Sequence, residues 1–201
     1  MTPQTTPAGL ASRDHRGDLL WFRSRRLHLL APALFFAALA ACLGGNVFLS
    51  VPTLGGSFHP VLLSAVAATA TATLVIPMVR QHLPEFTSVR RNAARALVVV
   101  GGILLLATAC GVSAGNAIGV RGLLGMVGFG LLAARLRWGS VLPAAYFLVA
   151  GTLGAGSSQD PLAAQPWAWL VDGTSTPTAW VVALTILATG IMVQLLVRPR
   201  L

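Results

Sequence analysis

The chain has 201 residues, 55% of them hydrophobic and only 9% charged, with a mean hydropathy of +0.77. A soluble domain carries about 25% charged residues, so this composition excludes an ordinary water-soluble domain and belongs in lipid. The net charge of +9 would suggest nucleic acid in a soluble protein; here the basic residues, 14 arginines and no lysine, sit at the ends of apolar runs, where they set topology instead.

At about 20 residues per span plus short loops, the length accommodates five or six spans in one domain. Residues 1–17 are polar and rich in Thr, Pro and Arg, which predicts a disordered N-terminal tail. Asp18 to Arg26 (DLLWFRSRR) suits the membrane interface, aromatic residues at the headgroups and arginines in water. The six-helix membrane domain expected over 18–201 has spans at about 29–50, 61–79, 96–113, 117–134, 141–155 and 178–197. Ser24-Arg25-Arg26-Leu27 resembles a twin-arginine signal and Leu39-Ala40-Ala41-Cys42 a lipoprotein cleavage box, but the apolar run continues past Cys42 and more spans follow. Val51 to Pro60, with two Pro, two Gly and no charge, reads as an external turn.

The second span is rich in Ala and Thr, whose hydroxyls can bond the preceding turn's carbonyls or a neighbouring helix. Pro77 is expected to kink it and Arg80 closes it. Beside Arg135 and Arg137 at the end of the fourth span, Trp138 serves as an interfacial anchor. Between the fifth and sixth spans, Pro161 to Val171 (PLAAQPWAWLV) is apolar enough to return to the membrane surface, with Trp167 and Trp169 at the outer interface. Arginines fall in the N-terminal segment, the central loop, the Arg135 turn and the C-terminus, and no external loop carries one. That pattern places both termini in the cytoplasm of a multi-pass protein of the cell membrane.

The central stretch Arg80 to Arg95 carries Arg80, Arg90, Arg91 and Arg95 against one acid, Glu85. After Pro84 it can form a short amphipathic helix, with Phe86, Val89 and Ala93 at spacings of three and four. A membrane protein would use such an element to touch a soluble partner. Arg121 is the one ionisable residue well inside an apolar run. Charge at that depth costs about 2.5–3.5 kcal/mol on insertion scales and marks an intramembrane site candidate. Two readings stand: the side chain snorkels to the outer headgroups, or it meets an interior partner or anionic ligand.

Small residues recur at helix-packing spacing, Ala33, Ala37 and Ala41 on the first span and Gly122, Gly125 and Gly128 on the fourth. Close packing within the chain accounts for them; docking to another membrane subunit or copy is the functional version. Gly111-Val112-Ser113-Ala114-Gly115 matches the nucleophile-elbow pattern but ends a membrane helix, with no histidine in a span to serve as base. Histidines and cysteines are scattered singly along the chain, and Cys42 and Cys110 lie in apolar runs where no structural disulfide is expected. No phosphate-binding glycine loop occurs. The reading is a non-enzyme, with no catalytic residue, cofactor, metal or nucleic-acid site.

Taken together, the interfacial Asp18–Arg26 segment, the six spans, the 80–95 loop and the Pro161–Val171 segment resemble the small membrane subunits of actinobacterial ABC exporters, of the ABC-2 permease type. Arg121-Gly122-Leu123-Leu124-Gly125 and Trp167-Ala168-Trp169 are also similar to small actinomycete permease-like proteins. The resemblance covers most of the chain, which is shorter than usual for that family. It implies an all-α membrane protein, paired with itself or with another membrane subunit, above a separate ATP-binding subunit. The 80–95 helix would then transmit nucleotide-driven motion, with Glu85, Phe86, Arg90 and Arg91 as contacts by position. The runner-up is a substrate-binding subunit of an energy-coupling-factor importer, docking through Ala33, Ala37 and Ala41. A non-transporting scaffold or immunity protein is the third reading.

Overall fold

The computed structural model describes residues 27–43, 47–52, 58–80, 89–153, 165–173 and 176–196. The N-terminal tail, the Asp18–Arg26 segment, and Glu85 and Phe86 lie outside the described residues, as do the side chains of Arg90 and Arg91. The described chain is mostly helical: α1 (Leu30–Cys42), α2 (Leu63–Val79), α3 (Val89–Ser113), α4 (Ala117–Ala133), α5 (Leu142–Leu153) and α6 (Pro177–Leu196). Two strands, β1 (Phe48–Pro52) and β2 (Phe58–Leu62), form an antiparallel hairpin, Phe48 facing Leu62 and Pro52 facing Phe58.

The hairpin corrects two expectations, an all-α fold and a first helix running to residue 50. α1 stops at Cys42, and Leu43 turns extended just before Gly44 and Gly45. The residues beyond, Val47 to Val51, include β-branched and aromatic side chains that prefer a pleated strand. Pairing with β2 satisfies the backbone that a longer helix would otherwise have satisfied.

α4 is the central helix. It packs most extensively against α6 and α2 and also touches α1, α3 and α5. Its glycines make this possible. A Cβ on Gly128 would come within 2.8 Å of the Ile186 carbonyl carbon, and one on Gly190 within 2.6 Å of the Gly128 carbonyl oxygen. The α4 and α6 backbones therefore meet where neither has a side chain. Ala33, Ala37 and Ala41 are fully buried among the chain's own helices, as are Ala40 and Ala68. In α2, Thr69 and Thr71 donate their hydroxyls to the carbonyls of Ala65 and Ala67 at 2.8 and 2.9 Å, which hides polar groups on an otherwise apolar helix.

Two helices are long and apolar enough to cross a membrane, Ala94–Ser113 within α3 and α6, with mean hydropathies of 2.3 and 2.1. The helix of a soluble core buries such residues. Here Val98, Leu105, Val112, Val181 and Met192 are all exposed, which supports association with a membrane. α1, α2, α4 and the Gly139–Leu153 segment are shorter and also apolar. α3 extends back to Val89, so residues 89–95 continue a long helix and do not form a separate short one.

Candidate functional site

Arg121 lies where α4 begins, and the start of α4 is fixed from two sides. Asn116 accepts from the Gly119 N–H at 3.0 Å through Oδ1, capping the helix. Its Nδ2 donates to the Ala41 carbonyl at 3.0 Å and to the Leu43 carbonyl, which ties the α4 start to the α1 end. Gly115, at φ +68°, makes the turn from α3 that delivers Asn116 to this position.

Five residues further along, roughly 7.5 Å at the helical rise, the Arg121 side chain is 0% exposed. It does not snorkel outward; it turns into the bundle and meets the segment before α6. One nitrogen, Nη2, donates to the Asp172 carbonyl at 2.6 Å and to the Trp169 carbonyl at 3.1 Å. Nη1 lies 3.7 Å from Asp172 Oδ2. At that separation the carboxylate supplies countercharge, while the two carbonyls supply the close bonds. Asp172 Oδ2 also accepts from the Thr176 hydroxyl at 3.3 Å, and Thr176 Oγ1 accepts from the Ala179 N–H at 3.4 Å at the start of α6.

The two tryptophans expected at the outer interface separate. Trp167 is half-exposed, whereas Trp169 is 4% exposed, with its ring against Gly125 and stacked on Tyr146 at 6.0 Å. The Tyr146 hydroxyl donates to the Trp167 carbonyl at 2.8 Å. Residues 165–173 are thus held by Arg121 from α4 and Tyr146 from α5, and Trp169 to Val171 are buried in the bundle. The arrangement can fix one end of the helices around an ion pair. Gly125 belongs to a small-residue run that the sequence left open to an outside partner; the structure uses it for Trp169.

A second group of arginines sits at the opposite ends of these helices. Arg80, closing α2, donates through Nη2 to the Arg137 carbonyl at 2.7 Å and to the Leu136 carbonyl. Arg135 donates through Nε to Gln194 Oε1 and through Nη2 to the Gln194 carbonyl, both at 3.1 Å. Buried Gln194 donates in turn to the Leu131 carbonyl at 2.6 Å. Arg135 and Gln194 thus cover late carbonyls of α6 and α4, while Arg80 ties the end of α2 to the turn that follows α4. Partial burial pulls the Arg135 guanidinium below its ordinary pKa, and a group starting that high stays charged. Trp138, 75% exposed, stands beside them.

Sequence spacing gave no sign of two further contacts. Asn116 is buried at the start of α4 and bonds across helices. Cys42 and Cys110 are free and exposed, and lie near enough to each other, towards the ends of α1 and α3, to interact. Ser113 of the elbow-like pattern donates to the Cys110 carbonyl at 2.7 Å, an ordinary helix-end bond. Among the described residues no group of three or more His, Cys, Asp or Glu could hold a metal ion. No family model, curated protein or solved structure matches the chain.

Proposed function

We propose that the chain is the membrane-spanning, permease-like subunit of an ABC exporter. It has six spans with both termini cytoplasmic, and it engages a separate ATP-binding subunit through the 80–95 stretch. One observation carries this reading: Arg80 reaches the carbonyls of Leu136 and Arg137. Two connections expected on the cytoplasmic side therefore meet at one end of the bundle, which gathers Arg80, Arg135 and Arg137. Clustered arginine at one end and none in the opposite loops is the charge signature of a cytoplasmic face. α3 starts from that face at Val89, so a partner bound to residues 85–91 would act on a helix that runs on to Ser113. In this reading the chain has no nucleotide chemistry of its own and pairs with itself or another membrane subunit.

The importer reading is weakened by packing, because Ala33, Ala37 and Ala41, its expected docking stripe, are fully buried within the chain. Affinity purification from the native membrane tests the exporter reading directly. An ATPase is expected to co-purify and to be lost on Phe86→Ala, since truncating an aromatic anchor often costs about 2 kcal/mol or more, on the order of thirtyfold in affinity. Arg90→Gln with Arg91→Gln should weaken binding less, and in a salt-dependent way. Retention of the ATPase after Phe86→Ala, or its absence throughout, would overturn the coupling role of the 80–95 stretch and leave it as a positive-inside signal only.

A further inference from the structure

Between α3 and α6, floored by Leu131 of α4, runs an apolar groove of about 390 Å³. Ala94, Gly101 and Leu104 form one wall, and Leu187 and Leu195 the other. Ala94 to Leu104 is ten residues of helix, about 15 Å, which is half the roughly 30 Å thickness of a bilayer's hydrocarbon. The groove is therefore one leaflet deep. Its floor residue Leu131 accepts from Gln194, to which Arg135 is bonded, so Arg135 stands at one end. Among the described residues no acceptor is bound to its Nη1. Arg90 and Arg91 lie four and three positions before Ala94 at that same end of α3.

We propose that this groove binds an anionic phospholipid of the cytoplasmic leaflet, one acyl chain along the apolar walls and the phosphate at the arginine end. The inference rests on the membrane orientation given above but not on the ATPase. Charge and depth select the occupant. A basic mouth between helices on the cytoplasmic side suits an anionic headgroup, whereas the spanning helix of a second copy would need a contact running the full bilayer thickness.

The test is native mass spectrometry of the full chain from nanodiscs of phosphatidylglycerol mixed equally with phosphatidylcholine. Wild type should retain phosphatidylglycerol preferentially, and Arg90→Gln with Arg91→Gln should reduce that preference about fivefold per arginine. A Cβ on Gly101 meets nothing within 4 Å, so Gly101→Leu starts its side chain in open space; with unfolding as a control on the fold, it should fill the groove and abolish retention of either lipid. Equal retention of the two lipids by wild type, or retention by Gly101→Leu, would overturn the proposal. So would a dimer that Gly101→Leu converts to monomer with lipid binding unchanged, since the groove would then be an interface between copies. Labelling of cysteines at Ser88 and Ser175 from opposite sides of the membrane checks the orientation separately. If that labelling fails, the topology is wrong; if it holds while lipid preference is absent, only the lipid site is.

Discussion

The two ends of the helix bundle use the same side chain in opposite ways. At the end where α4 begins, Arg121 is wholly buried, and it binds a segment from elsewhere in the chain through two carbonyls and a carboxylate. At the end where α4 finishes, Arg80 and Arg135 are only partly buried and cover carbonyls of the turn after α4 and of the α6 end. In the second case water can replace a lost bond, and in the first it cannot. Burial therefore decides which arginine is structurally indispensable. It also explains the distribution of acid: Asp172 is buried beside Arg121, whereas the helix-end carbonyls opposite provide neutral acceptors and a favourable dipole.

The largest expected effect follows from breaking the buried end. Arg121→Leu removes the cation and leaves the Asp172 carboxylate and two carbonyls without it, a loss of about 3–5 kcal/mol for a disrupted buried pair. The variant should insert but unfold at markedly lower denaturant, with residues 165–173 becoming accessible to protease. Asp172→Asn should cost less, because the 2.6 and 3.1 Å bonds go to backbone oxygens that the substitution leaves in place. Arg121→Lys should not rescue, since a point-like ammonium does not reproduce the guanidinium's planar fork. Near-normal unfolding of Arg121→Leu would mean that the arginine reaches the headgroups after all.

A middle-sized effect is expected at Asn116, which belongs to the same end but carries no charge. Asn116→Ala removes the cap on Gly119 and the bonds to the Ala41 and Leu43 carbonyls, together about 1–3 kcal/mol. Asn116→Asp keeps the cap acceptor but loses the donor. If Asp restores full stability, the link to α1 contributes nothing and the cap accounts for the whole effect.

How much of this was legible from residues alone follows the range of the interaction. Local chemistry was readable: threonine hydroxyls in α2 bond carbonyls four residues back, as an apolar helix requires. Arg121 stood out because a charge in an apolar run is conspicuous in one dimension. Its partner did not, since Asp172 lies 51 residues away, just past the Pro161–Val171 segment that reads as returning to the membrane surface. The β-hairpin was missed because a continuous apolar run does not distinguish a helix that continues from one that stops at paired glycines. Trp169 was placed at the interface by its type, yet Gly125 offers it a slot that only the crossing of helices creates.

The smallest effect is expected at the exposed end, and it is the strictest check on the comparison. Arg135 donates to the Gln194 side chain and carbonyl at 3.1 Å and to the Val193 carbonyl at 3.5 Å, the last near the limit of a hydrogen bond. Its acceptors are neutral and Arg135 itself is half-buried, so water or a shorter donor can take its place. Arg135→Gln should therefore lower stability by about 1 kcal/mol or less, in line with the weak polar contacts measured between membrane helices. Gln194→Leu should cost more than Arg135→Gln, although it removes no charge. It deletes a buried donor 2.6 Å from the Leu131 carbonyl, and that oxygen has little access to water. Measured side by side by denaturant unfolding in one detergent, the expected order is Arg121→Leu, then Gln194→Leu, then Arg135→Gln. If Arg135→Gln proved as damaging as Arg121→Leu, burial would not be what separates the two ends, and the charge itself would have to hold α4 against α6.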